Sequence, residues 1–522
     1  MFQCLTKAIA TINDIAPYVN AYVMKCYRYF SPFLILRFAS CRRATFTLYR
    51  IGKLTVTSIL LAMSSSFLID SSALAVPKGV VDNTNSGIIS GWALDSSTPT
   101  YSITVSIYMD GPLGIGKIQA TFSTNGLRPD VNSALNTAGY HGFQWAIPQN
   151  QRKTPHIWFV YASNLNATPT LLTNSPAVYP SVSATMTGTS QAVFVYSKDA
   201  CASDDIPDHP ARAFRTSDGN VTLLASHHEA RRAVGSNLDS VMHQCAIVHP
   251  SDDDPTFQNF KYYQWLQAPY TLDGKTVYMV THNEWYGNIV KPGCNNDLLD
   301  GWISAVTLLV SQNGGVSYTR PLDYIVRNPT TPWNNNMGCS ASSPTRYGDL
   351  GGSNIVYKDG YYYKFFLYWP EPSAKSNANA GWQCVMRSNN LASASSWYVF
   401  NGNSWIKSKT GVCASISSVQ NLRSVTLNTY LNMYVGIQQL NNAIVFSLSR
   451  DLINWTAPEP VVISGINTAN IAYPSLIDPN DTTSNFEQSG QYPYIFYTQF
   501  NNGTGANRDL MRFPLKFSIA AN

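Results

Sequence analysis

Ser449-Arg450-Asp451-Leu452-Ile453-Asn454-Trp455 is the stretch on which the fold turns. In such a heptad the Ser and Asp side chains cap a hairpin by accepting from nearby backbone amides, and the closing aromatic ring packs inward. It locates a pair of strands and carries no chemistry. Ser388-Asn389-Asn390-Leu391 with Trp397 is a looser copy, and Ser311-Gln312-Asn313-Gly314-Gly315-Val316-Ser317-Tyr318 is a third turn of similar make-up. Tyr473 to Asp478 and Arg508 to Arg512 continue in the same style.

Strand-like runs gather around these turns in five groups. The first holds Val193–Tyr196 and Val221–Ala225, the second Thr276–Thr281 and Ala305–Val310, the third Ser353–Leu367 and Trp382–Arg387. Ser424–Leu427, Tyr434–Gln438 and Ile444–Leu448 make the fourth, and Ala472–Ile477, Tyr494–Thr498 and Leu510–Pro514 the fifth. No amphipathic helix of normal length interrupts them. Groups spaced by roughly fifty to eighty residues predict a five-bladed β-propeller over residues 185–522, with two stacked sandwiches as the alternative.

Upstream, Gly87 to Asp95, Ile103 to Tyr108, Gly142 to Ile147 and His156 to Ala162 alternate with period two between Gly, Asp and Asn punctuation. That patterning predicts a small antiparallel β-sandwich over residues 76–180. The whole chain therefore reads as all-β, an N-terminal sandwich followed by a propeller. Gly91 to Asp95, Arg128 to Val131 and Gly139 to Trp145 resemble an accessory sandwich module of exported bacterial proteins. Trp92, Trp145 and Trp158 read as core rather than as a sugar-stacking face. Pro169, Pro176 and Pro180 mark a linker.

Charged residues make up only 12% of the 522, about half the usual share, so the polar surface is built from Asn, Ser, Thr and Tyr. Neutral hydrogen bonders with aromatic faces suit sugar recognition. Residues 1–75 hold eight of the 35 Lys and Arg but two of the 30 Asp and Glu, which accounts for the formal charge of +5. The remainder is near neutral and offers no basic patch for nucleic acid.

Tyr49 to Lys53 is basic, Leu54 to Ile69 apolar, and Ser71-Ser72-Ala73-Leu74-Ala75 small. This order predicts a secretory signal cleaved after Ala75, with no stable membrane span in the mature chain. Residues 1–48 read either as an extended n-region or as the result of too early a start site. Six cysteines remain beyond the cut (Cys201, Cys245, Cys294, Cys339, Cys384 and Cys413), a number that fits three disulfides in an oxidising compartment. Asn-x-Thr sequons stand at Asn166, Asn220, Asn454, Asn480 and Asn502.

The densest chemistry lies in Asp204 to Arg215, where three carboxylates and two guanidiniums share twelve residues. Pro207 and Pro210 stiffen the backbone on either side of Asp208. This reads as a loop holding a catalytic carboxylate, with Asp205 and Asp208 as the candidates. Val280 to Gly287 places a second acid, Glu284, at the end of an apolar strand beside His282 and Trp285. Burial against Trp285 is expected to raise its pKa. Ala225 to Arg232 adds His227, His228 and Arg231.

The Ser-x-Asp-Leu-x-x-Trp turn and its copies resemble those of the five-bladed propeller glycosidases, the arabinanase and β-xylosidase clan (glycoside hydrolase family 43-like). The Ser311 turn is similar to the Asp-box of sialidases, with Asn313 where Asp is usual. The resemblance implies an inverting, two-carboxylate hydrolysis of a polysaccharide or oligosaccharide. It assigns the base to Asp208 or Asp205, the acid to Glu284, and a tuning carboxylate to the region of Asp349, which is displaced by two glycines from its usual place. Substrate contacts are expected from Arg212, Arg215, His227, His228, Arg231, Trp265, His282 and Trp285. Converging arginines, with Arg346 and Arg423 among them, would point instead to a carboxylated sugar. No cofactor is indicated with certainty, and a structural or channel divalent ion such as calcium stays open. Two rival readings are a non-catalytic carbohydrate-binding or surface adhesion protein and a polysaccharide lyase using His227, His228 and Arg231.

Overall fold

The heptad forms as its side chains dictate. Ser449 Oγ accepts from the amides of Asp451 (3.2 Å) and Leu452 (2.9 Å), and Asp451 Oδ1 accepts from those of Ile453 (2.9 Å) and Asn454 (2.7 Å). Trp455, 1% exposed, packs beneath the turn with Phe365 and Leu422. The same device recurs at Ser388, which accepts from Asn390 N at 2.9 Å, with Trp397 buried behind it. At Ser311 the hydroxyl accepts from Gly315 N at 2.9 Å while Asn313 Oδ1 accepts from Ser317 N at 3.0 Å. Asparagine fills the place of aspartate because the turn needs only a side-chain acceptor.

The structure, a computed structural model, describes residues 76–164, 168–252, 254–287, 302–329, 345–374, 381–503 and 505–520, without the side chains of 345, 346 and 370–374. Residues 1–75, read above as an export signal, and Cys294, Cys339, Asn166 and the Arg346 side chain lie outside what is described. Two disulfides, Cys201–Cys245 and Cys384–Cys413, are present among the described residues. No described helix is long and apolar enough to cross a membrane.

The propeller strands group into five mainly antiparallel blades, which hydrogen bond into sheets of four, nine and ten strands. Blade I is Arg212–Arg215, Val221–Leu224, Ala230–Gly235 and Met242–His249. Blade II is Tyr263–Thr271, Val277–Tyr286, Trp302–Ser311 and Ile325–Arg327. Blade III runs Thr345–Lys358, Tyr361–Ala374, Trp382–Ser388 and Tyr398–Phe400, with Trp405–Lys407 outside them. Blade IV is Leu422–Asn428, Met433–Leu440, Ala443–Ser449 and Glu459–Val462. Blade V is Ile471–Ile477, Tyr494–Phe500 and Arg508–Ile519. The first strand of each blade touches that of the next, and Ile471–Ile477 returns to Arg212–Arg215, so the ring closes.

Closure corrects the grouping read from the sequence. Gln191–Phe194 pairs with the last strand of blade V, Gln191 opposite Arg512, and does not belong to blade I. Val182–Met186 continues along that strand and also runs parallel to Glu459–Val462 of blade IV. The ring is thus fastened by chain from its N-terminal side. Arg212–Arg215, read as part of a loop, is the innermost strand of blade I. The single run Ser353–Leu367 divides into two strands at Asp359-Gly360, whose φ values of 49° and 84° suit a tight hairpin turn. Tyr263–Thr271 escaped notice because Pro269 and the irregular pairing between Trp265 and Ala268 break its alternation.

The upstream strands form two facing sheets around Ile89, Val105, Phe143, Trp158 and Val160. Trp158 is fully buried against Trp145, and Trp92 is half-buried. Ala177–Tyr179, between the supposed linker prolines, pairs with His156–Trp158 and is part of this sandwich. Ile157 and Phe159 join one apolar cluster with Met433, Leu515 and Phe517, and Arg450 Nε pairs with Asp110 at 2.8 Å. The turn that marks blade IV therefore also seats the sandwich.

Candidate active site

Asp208 enters the channel mouth between its two prolines, with its amide donating to Ala225 O at 2.9 Å. Its carboxylate gathers donors from two blades. Trp265 Nε1 of blade II donates to Oδ2 at 3.1 Å, Tyr473 of blade V donates to Oδ1 at 3.2 Å, and Arg508 of blade V pairs closely with Oδ1. His227 Nε2 stands 3.7 Å from Oδ2.

Glu284 comes from the second strand of blade II. Strand parity puts His282, Glu284 and Tyr286 on one face. The Tyr286 hydroxyl donates to Glu284 Oε2, and His282 Nε2 lies 3.3 Å from both Oε1 and Ser304 Oγ. Burial, Glu284 and Asp208 push the Tyr286 phenol well up, so both carboxylates act on one hydroxyl. Trp285 faces the other way. It is 2% exposed, packs on Phe257 and donates Nε1 to Pro255 O at 3.0 Å. It is core, so it is neither a substrate contact nor the wall beside the Glu284 carboxyl.

Asp208 and Glu284 line one cavity of about 650 Å³, together with Trp265, His282, Arg423 and Tyr473. Trp302 and Trp369 complete an aromatic wall, their rings 5.2 Å apart. Sequence reasoning missed both. Trp302 opens and Trp369 lies within an apolar strand run, where the pattern looks like core.

The expected arginine clamp does not assemble. Arg212 lies beneath the cavity, donating to the carbonyls of Ala211, Gln267 (2.8 Å), Gly352 (3.1 Å) and Arg423 (2.6 Å). One guanidinium thereby ties the inner strands of blades I to IV. Burial, and then the charge of Arg423, lower its pKa to about 9. Arg215 donates to Asp481 O and covers Phe486. Arg231 turns to Cys245 O, Glu229 and Asp205, which removes the cation the lyase reading required. Arg423 alone of those described lines the cavity.

Asp205 is also elsewhere. Its buried carboxylate accepts from Cys201 N (2.9 Å) and pairs with His243 (2.8 Å) in a separate crevice walled by Val193, Phe194 and Leu510. Burial acts to raise its pKa, but the His243 and Cys201 bonds prevail and hold it low. It is a structural ion pair, and Asp208 is the first-blade carboxylate at the cavity. Asp349 is fully buried and accepts from Arg327 Nη2 at 3.0 Å, outside the cavity lining.

His227 and His228 pack against Trp265 and each other, with Nε2 and Nδ1 3.4 Å apart. Burial lowers both pKa values, that of His228 to about 4, which leaves neutral rings near pH 7. With Asp204 they form a set able to hold a divalent ion. Two imidazoles suit a nitrogen-preferring ion better than calcium, whose ligands are oxygens.

No family model and no curated protein matches the chain. Among solved structures, a chain described as a glycoside hydrolase aligns at 11% identity and a TM-score of 0.30, over 64% of this chain and 93% of that one. The family 43 protein BlXynB of Bacillus licheniformis aligns at 13% and 0.32, over 59% of this chain and 53% of its own. A family 43 arabinoxylan arabinofuranohydrolase of Bacillus subtilis, in complex with cellotetraose, aligns at 10% and 0.24, over 86% and 96%. At such TM-scores the likeness carries no functional argument, and the chemistry must come from the cavity itself.

Proposed function

We propose that this chain is a glycoside hydrolase in which Asp208 activates water and Glu284 protonates the leaving oxygen. The observation that carries the reading is that these two carboxyls, from adjacent blades, line one aromatic-walled cavity. A carboxylate offers about four acceptor sites. Trp265, Tyr473 and Arg508 engage three at Asp208, which fixes its plane and leaves room for one water. Tyr286 donates to Oε2 of Glu284, so the acid proton sits on Oε1, beside His282. Trp302 and Trp369 line the cavity but are only 7% and 2% exposed, so they shape its wall rather than present open ring faces. Two disulfides fit export to an oxidising compartment, with residues 1–75 as the export segment, 76–180 an accessory sandwich and 185–522 the hydrolase propeller.

The test is reducing-sugar release from a panel of plant, algal and microbial glycans, with NMR of the newly formed anomer. Release with inversion, abolished in Asp208→Asn, is the expected result. Binding without release by any member would favour the second reading, a non-catalytic glycan-binding propeller. Asp349 favours that reading, because Arg327 holds it away from the cavity and leaves the tuning role unfilled.

A further inference from the structure

Arg423 sits at the floor of the cavity in a state that the proposed hydrolysis does not use. Its Nε is buried without a hydrogen-bond partner, and no hydrogen bond or ion pair of its side chain occurs among the described residues. Its one side-chain contact of note is the Tyr473 ring, 5.4 Å from Cζ. A guanidinium carries five donors in a planar fork, and burying them unpaired is costly. Native proteins satisfy most such groups, and a guanidinium that lines a cavity with its Nε unpartnered has donors to offer a bound acceptor.

Local charge agrees. Asp208 is offset by Arg508. Arg423 makes no ion pair of its own among the described residues, although the field of Asp208 favours its charge, and buried cationic side chains lie below it. Arg212 spends its donors on carbonyls, as does Lys364 on Ser353 O at 3.1 Å. Neither has a carboxylate partner among the described residues. Burial and the field of Arg212 hold the Lys364 amine well below its ordinary pKa, and the charge of Arg423 in turn lowers that of Arg212.

We propose that the cavity takes a glycan bearing an oxyanion, a uronic acid carboxylate or a sulfate ester, which pairs with the fork of Arg423. This rests on the cavity being a sugar site and extends that reading to the class of sugar. A planar carboxylate fits the fork by two parallel N–H···O bonds, and a sulfate by two of its oxygens. Tyr473 braces the guanidinium from one side, so little side-chain entropy is lost on binding.

The experiment is calorimetric titration of the full chain with glucuronate, galacturonate, the 6-sulfates of glucose and galactose, and their neutral parent sugars. At least one anionic sugar is expected to bind ten-fold or more tightly than its parent, with preference between the carboxylate and sulfate arms identifying the source. Arg423→Gln is expected to abolish that preference, Arg423→Lys to keep part of it, and thermal melts of both are to confirm folding. Equal affinity for anionic and neutral sugars, no anionic binding, or an unchanged preference in folded Arg423→Gln overturns the proposal. Because binding is read without turnover, the two readings fail separately. Anion-selective binding without hydrolysis sinks only the hydrolase, and hydrolysis of neutral glycans alone sinks only the anion site.

Discussion

The hydroxyl of Tyr473 meets Oδ1 of Asp208 at 3.2 Å, joining residues 265 positions apart across the seam where the first and last blades meet. The base of the proposed reaction is thus oriented by the closure of the ring. Asp208→Asn is expected to lower kcat by about 10³-fold or more, since amide nitrogen cannot take a proton from water. Tyr473→Phe removes one donor to a charged acceptor and is expected to cost about ten-fold in kcat. Equal activity of Asp208→Asn and the parent would remove Asp208 from the mechanism.

The role of Glu284 separates from that of Asp208 by leaving-group dependence. A general acid matters most when the departing oxygen is basic. Glu284→Gln is therefore expected to lose about 10²-fold or more on natural glycans, yet within about ten-fold on dinitrophenyl glycosides. Equal losses on both substrates would show that Glu284 does something other than donate a proton.

Arg212 and Arg423 are neighbours with opposite expected behaviour. Arg212→Met strips donors from carbonyls of four blades and is expected to cost about 3–5 kcal/mol in urea unfolding. Arg423→Gln removes a half-buried cation whose Nε has no partner and is expected to leave stability within about 1 kcal/mol or to raise it. A denaturation midpoint that falls more for Arg423→Gln than for Arg212→Met would contradict the assignment.

His209 is 1% exposed, with Nδ1 2.8 Å from Pro210 O, and burial pushes its pKa down to about 4. A depressed folded pKa means the unfolded chain binds the proton first. Its stability contribution is complete above about pH 6.5, declines as the pH falls from there, and is lost below about 4. The size is on the order of 3 kcal/mol. Urea unfolding at pH 7 and pH 4.5 is expected to show a smaller acid loss in His209→Gln than in the parent chain. An identical loss in both would place the acid sensitivity elsewhere.

Much of the fold was legible in the residues because its signals are local. The Ser449, Ser388 and Ser311 turns depend on contacts within a few residues, and all three form as their side chains require. Alternation located most blade strands for the same reason. It failed at Tyr263–Thr271, where Pro269 and an irregular register spoil the period, and at Gln191–Phe194, where the strand was visible but its partner lay at the other end of the chain.

The candidate site divided along the same line. Asp208, Glu284, His282 and Trp265 were recognisable by type, and the cavity holds all four. Asp205, only three positions from Asp208, turned to His243, and Trp285, next to Glu284, turned into the core. Residue type and period thus determined that the chain is all-β, where its turns lie and which carboxylates deserved notice. Tertiary structure alone decided which of them share a cavity. Side-chain direction there depends on strand parity and on ring closure, which sum contacts between residues hundreds of positions apart and leave no trace in any local window.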